Sequence, residues 1–131
     1  MRPAISPDGK SIAAFYDDRR LSTQTYPTSI GIISSEGSAP SKVIAIPLSV
    51  LLSGGLRWSV DGKELFYINR AKDGDNIWAQ PTNGSSPHQV THLQGMDLFT
   101  FDWSPDGKQL AFSRGVHTSD VMPVEDAGQT Q

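Results

Sequence analysis

Two histidines four residues apart, His88 and His92, are the first candidates for chemistry in this sequence. On a helix, that spacing lets two imidazoles share a zinc ion beside a glutamate general base, but Gln89 occupies the glutamate position. The segment is also predicted to be a strand, in which residues four apart lie about 13 Å from each other. The sequence therefore predicts no zinc site here.

Two other polar motifs have structural interpretations. Asp73-Gly74-Asp75-Asn76 starts like a calcium loop but lacks the remaining spaced ligands and the closing glutamate, so we expect a solvated loop between strands. Asn83-Gly84-Ser85 matches a glycosylation sequon, but Asn-Gly is also a preferred hairpin turn, and we expect the turn.

Serine and carboxylate catalysis find no support in the sequence. There is no Gly-x-Ser-x-Gly nucleophile elbow and no kinase loop motif. The acidic pairs Asp17-Asp18 and Glu125-Asp126 are expected at strand ends or in the tail, where solvation explains them. We therefore expect that this chain is not an enzyme and carries no catalytic residues, cofactor or metal.

Composition disfavours two classes of partner. The 131 residues carry a net charge of −3 and a pI near 5.4, so there is no electrostatic reason to expect nucleic acid binding. The best apolar stretch, residues 43–52, is interrupted by Pro47 and Ser49, so we expect no membrane insertion by this segment. The sequence has no cysteine and no secretory signal, and by itself it leaves the compartment open.

A pentapeptide recurs three times along the chain. Ser6-Pro7-Asp8-Gly9-Lys10 is followed 53 residues later by Ser59-Val60-Asp61-Gly62-Lys63 and 45 residues after that by Ser104-Pro105-Asp106-Gly107-Lys108. The second spacing is typical of one propeller blade. Because Pro presets the turn, Asp can bond main-chain N–H groups and Gly accepts a positive φ, each copy predicts a three-residue hairpin loop.

Short apolar runs surround each pentapeptide at matching distances. They predict strands at residues 12–16, 65–68 and 110–112, then at 30–33, 77–80 and 121–124, and fourth strands at 42–46 and 89–93. Turn glycines follow the third strands at Gly37, Gly84 and Gly128. Each unit is thus a four-stranded antiparallel meander, and no helical periodicity is found.

The strand at residues 65–68 is apolar on both faces. Leu65 and Tyr67 point to one side, and Phe66 and Ile68 point to the other. A blade packed between two neighbours requires this pattern.

The residue before each pentapeptide is also large and apolar: Ile5, Trp58 and Trp103. We expect the two Trp side chains to fill the layers between blades.

Together these motifs resemble the WD40-like repeat of TolB-type β-propellers, in which Trp-Ser-Pro-Asp-Gly-Lys, x-Leu-Ala-Phe and a later Ile-Trp-x-x-x-x-Asn/Asp-Gly recur in each blade. Residues 103–112 match the first part throughout, and residues 76–84 match the second. That copy ends in Gln89-Val90-Thr91, where the family pattern has x-Leu-Thr. The Gly-His and Trp-Asp pair of common WD40 repeats and the sialidase Asp-box are absent. The resemblance implies an all-β partial propeller in a bacterial protein, with a periplasmic or extracytoplasmic location.

A narrower resemblance concerns the end of the chain. Residues 112–115 and 118–121 are similar to the last blade of propellers appended to bacterial serine/threonine kinases or transcriptional regulators.

The repeats divide residues 1–131 into blade one (about 1–54), blade two (about 55–98), blade three (about 99–124, without its outer strand) and a tail (125–131). A ring of six blades needs on the order of 270 residues. Pro123 fits a strand at a sheet edge. We expect the open blade faces to meet the remaining blades, a protein partner or a second copy of the chain.

These observations predict a non-catalytic propeller segment that serves as a protein-interaction or sensor module within a larger protein. Polar residues on the innermost strands, Arg57 and Asp102, are the candidate channel or partner contacts. The alternative is part of the gating propeller of a prolyl oligopeptidase-like serine peptidase, whose catalytic domain would lie outside these residues.

Overall fold

The computed structural model describes residues 3–16, 29–37 and 39–116, which form three antiparallel sheets in succession. Sheet one contains β1 (Ala4–Ile5), β2 (Ser11–Tyr16), β3 (Ser29–Ser34) and β4 (Lys42–Ala45). Sheet two contains β5 (Arg57–Trp58), β6 (Glu64–Ala71), β7 (Gly74–Pro81) and β8 (His88–Gln89). Sheet three contains β9 (Met96–Trp103) and β10 (Leu110–Val116). Sheets one and two are four-stranded meanders in chain order, as predicted.

The link between sheets one and two includes a short 3₁₀ helix, Leu52–Gly54. Among the residues that the structure describes, no helix is long and apolar enough to cross a membrane.

Some sequence predictions fall outside the described residues. These are the strand at 121–124 with Pro123, the turn at Gly128, the acidic pairs Asp17-Asp18 and Glu125-Asp126, and the tail at 125–131.

The fourth strand of sheet two is shorter than the predicted 89–93. It ends at Gln89 because the side chain of Thr91 replaces a main-chain partner: its Oγ1 accepts a hydrogen bond from the Ile77 N–H at 3.0 Å. Sheet three starts at Met96, directly after Gly95, whose φ of +66° reverses the chain.

The hairpin loops are one residue longer than predicted. In the first copy, the Ser6 N–H donates to Ser11 O at 2.8 Å, so four residues lie between the paired positions. The prediction was wrong because the Ser6 side chain replaces a main-chain acceptor: its Oγ accepts from the Ser11 N–H at 3.0 Å. Gly9 sits at φ +72°, the left-handed conformation that the turn requires.

The Trp58 layer is the apolar cluster between sheets one and two. Leu65 and Tyr67 of β6 are fully buried in it, and Trp58 packs against it. The Trp58 indole Nε1 also donates to Ala4 O in β1 at 2.8 Å. Sheet one contributes Ala13, Ile30 and Ile32, and the link to sheet two contributes Ile46 and Val50.

The Trp103 layer is the corresponding cluster between sheets two and three. Phe66 and Ile68, on the opposite face of β6, are buried in it together with Phe101 and Phe112. Trp103 packs against this layer, and the centre of its ring lies 5.0 Å from the centre of the Phe66 ring. The predicted two-sided burial of residues 65–68 and the packing role of both Trp side chains are thus confirmed.

The other face of sheet one is also apolar. Ile5, Ile12 and Ile33 lie directly opposite one another on three neighbouring strands, on the side away from the buried Ala13. Ile5 is 66% exposed and Val43, on the edge strand, is 51% exposed. We call the face defined by these four residues the outward face of sheet one.

Candidate interaction site

The three Ser-x-Asp-Gly-Lys turns place a hydroxyl against a carboxylate, an arrangement that could in principle activate a serine. In each copy, however, the Ser Oγ donates to the Asp Oδ1, at 2.6, 2.7 and 2.6 Å for Ser6, Ser59 and Ser104. Each Oγ also accepts a main-chain N–H five residues later at 3.0 Å. Both hydrogen bonds of each hydroxyl therefore lie within its own turn and hold that turn closed.

The same contacts lower the pKa of the three turn carboxylates. The Ser6 hydroxyl, and then the Lys10 N–H, lower the pKa of Asp8 below its ordinary value of 3.8. The matching partners lower the pKa of Asp61 and of Asp106 in the same way. These carboxylates thus stay ionised as hydrogen-bond acceptors, which suits a structural role and not a general acid.

A groove of about 960 Å³ runs along the innermost strands of all three sheets. It is lined by Ala4 and Ile5 of β1, Arg57 and Trp58 of β5, and Thr100 and Asp102 of β9, with residues 52–56 at one side. We call this surface the inner rim.

Arg57 and Asp102 meet on the inner rim. The Arg57 Nε lies 3.6 Å from the Asp102 Oδ1, and the two side chains are 33% and 74% exposed. The Arg57 guanidinium also lies 5.5 Å from the centre of the Phe101 ring, and its Nη1 donates to Leu56 O at 2.9 Å. Asp102 Oδ1 accepts from the Trp103 N–H at 2.9 Å.

This arrangement presents a positioned charge pair to whatever enters the groove. An exposed ion pair contributes little to stability, about 0–1 kcal/mol, so its partners can be exchanged at small cost. The ring beneath the guanidinium limits its motion and leaves outer N–H groups for a planar acceptor. The inner rim can therefore bind polar or charged groups.

His88 and His92 do not face a common site. His88 lies in β8 with its Nε2 3.5 Å from Glu64 Oε2, while His92 lines a separate cavity beside Trp78 and Asn69. Across residues 3–16, 29–37 and 39–116, no group of three or more His, Asp or Glu side chains could hold a metal ion.

The predicted solvated loop at Asp73-Gly74-Asp75-Asn76 is wrong for its second half. Gly74 starts β7, and Asp75 is only 2% exposed because its Oδ2 accepts the Leu98 N–H of β9 at 2.9 Å. Asp75 Oδ2 also receives the Arg70 Nε at 3.3 Å.

Asn76 is the second buried polar residue that sequence reasoning missed. Its Oδ1 accepts from the Leu93 N–H at 2.6 Å and from Thr91 Oγ1 at 2.8 Å, and its Nδ2 donates to Leu93 O at 3.1 Å. Asp75 and Asn76 thus fix the segment that leads from sheet two to sheet three. The only signal in the sequence was the position of these residues beside the Ile77 strand.

No family model matches this chain, and no curated protein matches it in sequence. Among solved structures, it is similar to a protein described as "putative TolB" from Agrobacterium tumefaciens, with a TM-score of 0.54 and 20% identity. The match covers 86% of this chain and 39% of that one, so the chain spans well under half of its neighbour's length. At this identity the likeness is one of fold. Together with the successive four-stranded meanders, it identifies the fold as a partial β-propeller.

Proposed function

We propose that this chain is a non-catalytic segment of a larger TolB-like β-propeller, in which it serves as a protein-interaction or sensor module. The observation that carries the proposal is the outward face of sheet one. It is apolar, and Ile5 and Val43 on it remain more than half exposed.

The positions on this face correspond to those that stack elsewhere in the molecule. Ile5 and Ile12 stand where sheet two has Trp58 and Leu65, the residues through which sheet two packs on sheet one. Sheet three packs on sheet two through the corresponding Trp103 and Leu110. The pattern supports a further propeller sheet as the occupant of the outward face.

The inner rim supports the interaction role. Loops and inner strands at the centre of a propeller are the surfaces that its neighbours leave accessible. Arg57 and Asp102 would contact a polar segment of a protein partner there, since both keep exposed polar atoms within one groove. The resemblance of residues 112–115 and 118–121 to propellers appended to bacterial kinases or transcriptional regulators favours a sensor in a multidomain protein.

The test is the solution mass of the chain by light scattering. With its outward face open, the chain alone is expected to self-associate. The double variant Ile5→Lys/Val43→Lys should shift the mass to that of a monomer, because two charges on the face oppose stacking.

The matched control is Leu48→Lys/Val60→Lys, which adds the same charge at two exposed apolar residues outside the face. It should leave the self-association unchanged. A monomeric parent chain, or an equal shift in both double variants, would contradict stacking through the outward face.

A further inference from the structure

Asn83 lies in the exposed turn between β7 and β8, directly before Gly84. Asparagine is among the chemically labile residues of proteins. Its side-chain amide can be attacked by the main-chain nitrogen of the following residue, and glycine hinders that approach least because it has no side chain.

The turn places two hydrogen-bond donors on the Asn83 side chain. Its Oδ1 accepts from the Ser85 N–H at 2.9 Å and from the Ser85 Oγ at 2.6 Å. The first bond closes an Asx turn, which folds the side chain over the following peptide. Two donors thus point at the oxygen on which negative charge develops when the amide carbon is attacked.

We propose that Asn83 is a site of spontaneous deamidation through a cyclic imide with Gly84. The Gly84 nitrogen loses its proton to hydroxide and bonds to the Asn83 Cγ. The Cγ–Nδ2 bond then breaks, and ammonia leaves with a proton from water. Water hydrolyses either carbonyl of the imide, which gives Asp or isoaspartate, so the net change consumes one water and releases one ammonia.

The main-chain contact that opposes this step is weak. The Gly84 N–H donates to Pro81 O at 3.2 Å, at the long end of the range for such bonds. Because the turn is exposed, water replaces this contact readily.

The other two asparagines provide an internal comparison. Asn69 and Asn76 are followed by Arg70 and Ile77, whose side chains hinder the attack. The Asn76 amide is also buried and held at both ends by Leu93.

The Asp-Gly pairs of the three Ser-x-Asp-Gly-Lys turns lack the same reactivity for a different reason. Their side chains are carboxylates, which are ionised at neutral pH and have no amide group to lose. In sheet one, Glu36-Gly37 occupies the place of Asn83-Gly84 and has no amide to lose.

Deamidation at Asn83 would loosen the outer edge of sheet two. Isoaspartate adds one methylene to the main chain, in a turn that the buried Gln80 fixes through Ser85 O at 2.7 Å. Beyond the turn, β8 is held to β7 by only two residue pairs, Trp78 with Gln89 and Ala79 with His88.

The test is to hold the full chain at mildly alkaline pH and to follow its proteolytic peptides by mass spectrometry, with isoaspartate separated from Asp by chromatography. The peptide with Asn83 should gain the mass of an NH₂-to-OH replacement and contain both products, while Asn69 and Asn76 stay unchanged. This outcome does not depend on the proposed function.

A matched pair of serine variants tests the role of the turn geometry. Ser85→Ala should slow the reaction about two- to tenfold, the range that corresponds to one neutral hydrogen bond, and only in the folded chain. Ser86→Ala, at the exposed neighbouring position, should leave the rate unchanged. Gly84 is not the residue to vary, because its φ of +89° makes any substitution strain the turn.

Three results would overturn the proposal: an unchanged Asn83, equal rates at all three asparagines in the folded chain, or the same rate in both serine variants. Unfolding in urea should abolish the effect of Ser85→Ala, and an effect that persists in urea would contradict the geometric argument.

Discussion

The Trp58 layer and the Trp103 layer are built from the same motif but satisfy their polar groups differently. The Trp58 Nε1 donates across the layer to Ala4 O, whereas the buried Trp103 Nε1 has no partner among the described residues. The Trp103 layer has instead a buried carboxylate, Asp75, that bonds the next sheet through the Leu98 N–H. A repeated sequence therefore does not imply a repeated set of contacts: the apolar packing recurs, and the polar links are individual.

The largest expected effect concerns the bond from Leu98 to Asp75 in the Trp103 layer, which has no counterpart among the described residues of the Trp58 layer. Asp75→Ala leaves the Leu98 N–H buried without its partner, so we expect a loss of about 2–3 kcal/mol in the free energy of unfolding. Urea unfolding measures it. Arg70→Gln removes only the half-exposed partner of Asp75 and should cost less than about 1 kcal/mol. Equal losses in the two variants would show that the ion pair with Arg70, which lies within sheet two, accounts for the effect of Asp75, and not the bond to Leu98.

The two Trp side chains offer a direct comparison. Trp58→Phe loses packing and leaves Ala4 O without its indole donor, while Trp103→Phe loses packing but removes an unpaired N–H. We expect Trp58→Phe to be the more destabilising by about 1 kcal/mol. Denaturant unfolding of both variants measures this difference in the free energy of unfolding. An equal or reversed order would refute the difference between the layers.

A smaller effect is expected at the turn that departs from the Ser-Pro pattern. Val60→Pro gives the middle turn the residue found in the other two, and it should stabilise the protein by about 0.5 kcal/mol because Pro restricts the unfolded chain. The melting temperature reports the change. The converse variant Pro105→Val should lower it. A lower melting temperature for Val60→Pro would mean that the contact of Val60 with Gly107 matters more than turn preorganisation.

Acid should weaken all three Ser-x-Asp-Gly-Lys turns alike, so it should not change the difference between the two Trp layers. The folded-state pKa values of Asp8, Asp61 and Asp106 lie below the ordinary 3.8. Their contribution is therefore present above that value and is lost as pH falls through the folded-state pKa values. Unfolding followed as a function of pH should show this decline, and Asp61→Asn should flatten it in part. A stability that does not change below pH 3.8 would contradict the shifts.

The sequence predicts the parts of this fold that depend on neighbouring residues. Alternation along residues 65–68 gives both buried faces of β6, and the repeated pentapeptide places the hairpins in sheets one to three. What it misses are contacts between distant segments: Asp75 reaches Leu98, 23 residues further on, and Asn76 reaches Leu93, 17 residues further on. A local pattern of Asp, Gly and Asn looks the same whether such partners exist or not.

For the candidate site too, the sequence predicts the residues but not the contact between them. Arg57 and Asp102 were predicted separately, as polar residues on innermost strands. Their meeting at 3.6 Å depends on how sheets two and three stack, and no local pattern encodes that distance. The loop length of the hairpins was missed for a related reason, since the Ser6 Oγ acts as a main-chain acceptor.

The bond from Trp58 to Ala4 has a consequence for the order of folding. Strand β1 has only two residues, and the donor that bonds its Ala4 carbonyl belongs to a side chain 54 positions later in the chain. Closing so long a loop is entropically unfavourable until β5 is in place, so this bond forms late, whereas the pairing of β1 with β2 is local. The last contacts of sheet one therefore depend on sheet two, which couples the completion of one unit to the folding of its neighbour.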